Sequence, residues 1–187
     1  RDIKNNKIIS REITDTAGGI TFSLDDKYIF YSKLDQNHRA KKIYRHEIGN
    51  FDKKDELIFE EKGNAFTVSI GISSDEKYYF INTSDHNTSE QYYFNSNEEN
   101  PTPKLIIKRE KGIIYNVNSW NGKFYNHTNK GAEDFKINVC DNLENQNWKT
   151  FLPGRDGVLI HGLTFLKNWI IRGETSNALD KLFVLNT

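Results

Sequence analysis

Apolar and polar positions alternate with a period of two along most of the chain. Phe66, Val68, Ile70 and Ile72 alternate with Thr67, Ser69, Gly71 and Ser73, and Ile113, Tyr115 and Val117 alternate with Ile114, Asn116 and Asn118. A period of two places successive side chains on opposite faces of a strand, and no segment sustains the 3.6-residue period of a helix. Each alternating run leads into a short polar turn and then an aromatic strand. Ser23-Leu24-Asp25-Asp26-Lys27-Tyr28-Ile29-Phe30 is echoed by Ser73-Ser74-Asp75-Glu76-Lys77-Tyr78-Tyr79-Phe80. A third copy is Ser119-Trp120-Asn121-Gly122-Lys123-Phe124-Tyr125, and a worn fourth is Leu166-Lys167-Asn168-Trp169-Ile170-Ile171. Ser, Asp and Asn bond their own backbone and tolerate tight turns, so each copy predicts a β-hairpin.

The aromatic after the turn recurs at Tyr28, Tyr78, Phe124 and Trp169, at intervals of 50, 46 and 45 residues. Two more β-rich runs follow each of the first three hairpins. They are Lys42–Ile48 and Glu56–Glu60, then Glu90–Phe94 and Lys104–Lys108, then Phe135–Val139 and Trp148–Leu152. Four short strands per repeat of this length predict propeller blades. The expected fold is therefore all-β, a partial β-propeller of four-stranded antiparallel blades within one domain. The end of one blade falls at residues 1–13, full blades at 19–60, 66–108 and 113–153, and an incomplete blade at 158–187. Blades bury their faces only against neighbours, so the two terminal units need further cover.

Charge and composition narrow the function. Lys and Arg number 26, as do Asp and Glu, which leaves no global field to hold a polyanion and argues against nucleic acid as a partner. The single cysteine, Cys140, rules out an internal disulfide framework and a multi-cysteine zinc site. No apolar run approaches the roughly 20 residues that span a bilayer as a helix, and the opening residues lack a signal-peptide core. The expectation is a cytoplasmic chain with no membrane partner. The absence of Met points to a segment cut from a longer protein.

Several stretches in register resemble one family. These are Lys33-Leu34-Asp35-Gln36-Asn37-His38-Arg39 with Lys42-Ile43-Tyr44-Arg45-His46, Phe66-Thr67-Val68-Ser69-Ile70-Gly71, and Ser84-Asp85-His86-Asn87-Thr88-Ser89-Glu90. Arg109–Val117, Thr128-Asn129 and Asp134-Phe135-Lys136 continue the series. Together they resemble the propeller domain of the prolyl oligopeptidase family, in its oligopeptidase B (protease II) branch. The resemblance implies about half of a seven-bladed propeller, joined in the parent to a C-terminal α/β-hydrolase domain with a Ser/Asp/His triad. It also implies a serine peptidase that cuts short peptides after Lys or Arg, with the propeller excluding folded proteins. The alternative is a free-standing propeller that only binds partner proteins.

The residues themselves supply no catalytic set. A nucleophile elbow needs Gly-x-Ser-x-Gly, and the nearest candidate, Ser73, follows Gly71 but precedes Asp75. Asp85, His86 and Ser89 contain the right residue types but sit in one short loop, which reads as a backbone-satisfying turn. The five histidines are dispersed, without metal-ligand spacing, and no cofactor or metal is expected. Lys53–Glu56 and Glu60–Lys62 read as solvated charges beside turns, and the tryptophans as inter-blade packing. The loops between second and third strands are the remaining candidates, because they share one face with the blade-to-blade connections. Asp35, His38, Arg39, Asp85, His86 and Glu90 are therefore the expected interdomain or entrance residues.

Overall fold

A computed structural model describes residues 4–7, 13–50 and 54–186, and most of the blade end expected at residues 1–13 lies outside them. Among the described residues fifteen strands form four antiparallel sheets and no helix occurs. The first sheet contains β1 (Thr16–Phe22), β2 (Tyr28–Leu34), β3 (Ala40–Glu47) and β4 (Glu56–Glu60) in sequential order. The second contains β5 (Thr67–Ile72), β6 (Tyr78–Ser84), β7 (Ser89–Asn95) and β8 (Lys104–Ile107). The third contains β9 (Tyr115–Trp120), β10 (Lys123–Thr128), β11 (Lys136–Cys140) and β12 (Lys149–Leu152). The last holds three strands, β13 (Val158–Leu166), β14 (Trp169–Ser176) and β15 (Leu179–Asn186).

The repeated turn is built as its residues require. Ser23 Oγ donates to Asp25 Oδ1 at 2.7 Å and accepts from Tyr28 N at 2.8 Å; Ser73 bonds Asp75 Oδ1 and Tyr78 N at 2.8 and 3.0 Å. Asp26 and Glu76 take the left-handed conformation at φ 57° and 58°. In the third copy Asn121 (φ 51°) and Gly122 (φ 74°) close a two-residue turn whose handedness suits the strand twist. Ser119 instead reaches into the second sheet, where its hydroxyl donates to Asp75 Oδ2 at 2.9 Å.

Three apolar clusters lie between the sheets rather than within them. Phe30, Ile43 and Ile58 of the first sheet meet Val68, Tyr79, Ile81 and Phe94 of the second. Phe80 and Ile106 meet Tyr115, Val117 and Phe124, and Trp120, Tyr125 and Ile137 meet Ile160 and Ile170. Each fully buried side chain of this size contributes about 1.5–3 kcal/mol, so every seam depends on both of its sheets. These four repeated sheets are the expected partial propeller.

The structure corrects three local readings. Phe135 is not in a strand: at φ 67° it precedes β11, and its ring stacks on His127 with centroids 4.5 Å apart. Trp120 stacks on Phe165 as inter-sheet packing requires, but Trp169 is 43 % exposed on the outer face of the last sheet. Glu61 is buried rather than solvated, for reasons given by its partners below.

Candidate docking face

On one side of each of the first three sheets, the loop between its second and third strands touches the connection leading to the next sheet. In the first sheet Asp35 Oδ1 accepts from Asn37 N at 2.8 Å and Arg39 N at 3.0 Å, folding the loop around its own carboxylate. Hydrogen bonds from Arg39 N and then Asn37 N hold the Asp35 carboxyl below its ordinary pKa. Arg39 Nη1 then donates to Asn64 O at 2.6 Å, and Lys41 Nζ donates to Gly63 O at 2.5 Å and Asn64 O at 3.2 Å and also to Phe66 O. The second sheet repeats the device. Asp85 Oδ1 accepts from Asn87 N and Thr88 N at 2.9 and 2.8 Å, and Thr88 Oγ1 accepts from Gly112 N at 3.1 Å. In the third, Asp134 Oδ2 accepts from Gly157 N at 2.8 Å, and Gly154 lies so close to the loop that a Cβ there would meet Ala132 Cβ at 2.7 Å.

An ionic node joins two of these connections. Arg109 Nη2 lies 2.6 Å from both Glu61 Oε2 and Glu90 Oε2, while its Nε and backbone N–H donate to the two oxygens of Glu90 at 2.9 and 2.8 Å. Its guanidinium also covers the Phe66 ring, 4.0 Å from the centroid. The two carboxylate side chains are only 5 % and 6 % exposed. Burial alone would raise the Glu90 pKa, but the hydrogen bonds from Arg109 and the Tyr92 hydroxyl hold it below the ordinary value. Burial and the Glu90 contact push the Tyr92 phenol up to about 12, so it remains a donor. Glu61 accepts Gly63 N as well, which is why a residue in a charged tripeptide is buried.

The expected residues therefore separate by role. Asp35 and Asp85 shape their loops, Arg39 ties one loop to the next connection, and Glu90 belongs to the buried node. His38, at φ 56°, and His86 are exposed. Sequence reading missed Lys41, Glu61 and Arg109, whose signal is spatial: their partners lie 19 to 48 residues away. Ser89 is no nucleophile, since its hydroxyl accepts from Tyr115 N at 2.7 Å and donates to Tyr115 O at 2.8 Å. Burial pushes the Cys140 thiol up to about 11, away from thiolate chemistry. Among the described residues no group of three or more His, Cys, Asp or Glu is arranged to hold a metal ion.

Successive antiparallel sheets that pack face against face and connect along one side define a segment of β-propeller. Residues 1–187 match the family described as "Prolyl oligopeptidase, N-terminal beta-propeller domain", and the chain belongs to that family. It is 30 % identical to Protease 2 of Moraxella lacunata over 176 residues, covering 87 % of this chain and 26 % of the relative. It is 24 % identical to dipeptidyl aminopeptidase BI of Pseudoxanthomonas mexicana, covering 99 % of this chain and 26 % of that protein. Its fold superposes on oligopeptidase B from Leishmania major with a TM-score of 0.90 at 20 % identity, covering 97 % of this chain and 26 % of that one. The chain thus spans about a quarter of the length of these relatives.

Proposed function

We propose that this chain is the non-catalytic propeller segment of a serine oligopeptidase that cuts short peptides after Lys or Arg. The observation that carries the reading is the similarity to Protease 2 over most of the chain, together with the lack of any Gly-x-Ser-x-Gly in this sequence. The chemistry then resides in an α/β-hydrolase domain elsewhere in the parent, and the propeller restricts access by size. Further blades cover the outer faces of the terminal sheets, where Ile20 and Phe22 at one end and Leu182 and Val184 at the other are exposed. The loop-and-connection face meets the hydrolase domain or lines its entrance. Asp35, Asp85, Arg39 and Glu90 hold that face in shape, and the exposed His38 and His86 reach the partner.

The test uses the parent protein carrying His38→Ala and His86→Ala together. Turnover of a small Lys or Arg ester should be unchanged, whereas cleavage of peptides of graded length should shift its size limit. An unchanged size limit removes these residues from the entrance. Failure of the unaltered parent to cleave Lys or Arg reporters overturns the peptidase reading and favours a propeller that only binds proteins.

A further inference from the structure

We propose that the last sheet is a hinged flap, held to the third sheet at the single residue Ile160 and free to swing outward at its turn end. Among the described residues, the strand hydrogen bonds that cross this seam meet at Ile160. Its N–H donates to Asp134 O at 3.0 Å, and His127 Nε2 lies 2.7 Å from its carbonyl oxygen. Just before it, in the connection, Gly157 N donates to Asp134 Oδ2 at 2.8 Å. All of these lie on the loop-and-connection side. Toward the turns the seam is apolar: the Phe165 ring stacks on Trp120 and meets Tyr125, with centroids 5.6 and 4.8 Å apart, and Ile170 and Leu185 complete the contact.

The other two seams are fastened at both ends. Between the second and third sheets, Ser89 bonds Tyr115 at the loop end and Gln91 bonds Val117 in the middle. At the turn end of that seam Ser74 N donates to Asn118 Oδ1 and the Ser119 hydroxyl to Asp75 Oδ2, both at 2.9 Å. Between the first and second sheets, Lys41 reaches Phe66 O at the loop end, Ser32 Oγ donates to Val68 O at 3.2 Å, and the Tyr79 hydroxyl donates to Phe22 O at 2.9 Å at the turn end. The residues of the third sheet account for the difference. The strand register shifts after Gln91 in the second sheet and after Ile137 in the third, so Phe135 and Ile137 stand where Ser89 and Gln91 do. The Ser73–Lys77 turn that carries Asp75 is shortened to Asn121-Gly122, which offers no carboxylate to the last sheet. Hydrogen bonds fix distance and angle, whereas apolar contact is non-directional, so the third seam tolerates a change of angle that the other two resist. A cavity of about 340 Å³ between Trp120, Tyr125 and Phe151 on one side and Ile170 and Leu185 on the other leaves its turn end loosely filled. Rotation about Ile160 widens the propeller at the turns and leaves the candidate docking face in shape.

The molecule carries its own control. Cys140 lies at the turn end of the seam between the second and third sheets and Ile170 at the turn end of the flap, each 4 % exposed, so Ile170→Cys in the intact chain places one buried thiol in each seam. With each labelling rate divided by that of the same thiol in urea, the Ile170→Cys thiol should label at least about tenfold faster than Cys140 in native buffer, while the amides of β14 stay protected from exchange. Global unfolding labels both thiols together. In Ile160→Cys the new thiol should label no faster than Cys140, because the pivot stays closed. In the unaltered protein, NMR relaxation dispersion should appear at the Ile170 methyls and be absent at the Val117 methyls. Equal labelling of the two thiols, Ile160→Cys labelling as fast as Ile170→Cys, β14 amides exchanging at the labelling rate, or no dispersion at Ile170 each overturns the proposal.

Discussion

The seam between the second and third sheets and the free side of the last sheet show two fates of a strand edge. The outward edge of β9 would expose the N–H and C=O of Tyr115 and Val117, but side chains from β7 occupy it. Gln91 Oε1 accepts Val117 N at 2.7 Å and its Nε2 donates to Val117 O at 3.1 Å, so one primary amide imitates the pairing of a peptide. Ser89 serves Tyr115 in the same way. Across the molecule, β15 has no strand on its outer edge among the described residues, and Leu179, Leu182 and Val184 are 62–77 % exposed. The difference teaches that neighbouring sheets are keyed together by side chains that satisfy backbone, added to apolar contact. Such edges are otherwise templates for unwanted pairing.

The largest predicted effect removes the charge that holds two connections. Arg109→Met leaves Glu61 and Glu90 buried without their partner, which should cost about 3–5 kcal/mol at neutral pH, measured from urea midpoints. The sign with pH is specific. In the unaltered protein the lowered Glu90 pKa supplies stability that is present above about pH 4.5 and is lost as pH falls through the folded value. In the variant the buried Glu90 carboxylate loses the Arg109 hydrogen bonds that hold its pKa down, so the gap between the two proteins should narrow on acidification. A gap that is small at pH 7, or widens toward pH 4, contradicts the node as described.

Breaking the peptide mimic comes next. Gln91→Leu keeps the volume but strands Val117 N–H and Val117 C=O, at a cost of about 3 kcal/mol, while Asn82 Oδ1 keeps only Asn116 Nδ2 at 3.3 Å. Tyr115→Phe should cost about 2 kcal/mol, because its hydroxyl fills the register shift between β7 and β8. There it accepts Gln91 N at 2.8 Å and Ile107 N at 3.2 Å and donates to Ile107 O at 2.5 Å. Burial pushes this phenol up to about 12, so the loss should not vary with pH below that value. Ile107 is only half-buried, which lets water replace part of the loss and sets this variant below Gln91→Leu. Equal and negligible effects from both would mean that apolar contact alone orders the sheets.

How much of this was legible follows the range of each interaction. The hairpins and the four-strand repeat were visible because alternation and the Ser-x-Asp turn act over a few residues, as Ser73, Asp75 and Tyr78 show. The loops at Asp35 and Asp85 were visible for the same reason. Glu61, Arg109 and Lys41 were not, because a charged residue beside a turn looks the same whether water or a guanidinium 48 residues away solvates it. Nor did the sequence separate Trp120 from Trp169. Both occupy repeat positions, and only the presence of a neighbouring sheet makes one a core residue.

The smallest predicted effect is a gain, and it sharpens the comparison at its weaker end. Asn177 and Ala178 join β14 to β15 in a two-residue turn with φ values of 54° and 59°. Another two-residue turn, between β9 and β10, uses Asn121 and Gly122, which meet the same left-handed requirement without a Cβ at the second position. Holding alanine there costs about 1–2 kcal/mol, partly offset by the greater freedom glycine has when unfolded, so Ala178→Gly should stabilise by about 0.5 kcal/mol. A sheet whose outer strand has no neighbour among the described residues opens locally before the whole chain unfolds, so the gain should appear as slower amide exchange at Leu182 and Val184 rather than as a higher urea midpoint. A higher midpoint with unchanged exchange in β15 would mean that the last sheet unfolds only with the others, and that its open edge is not its weakness.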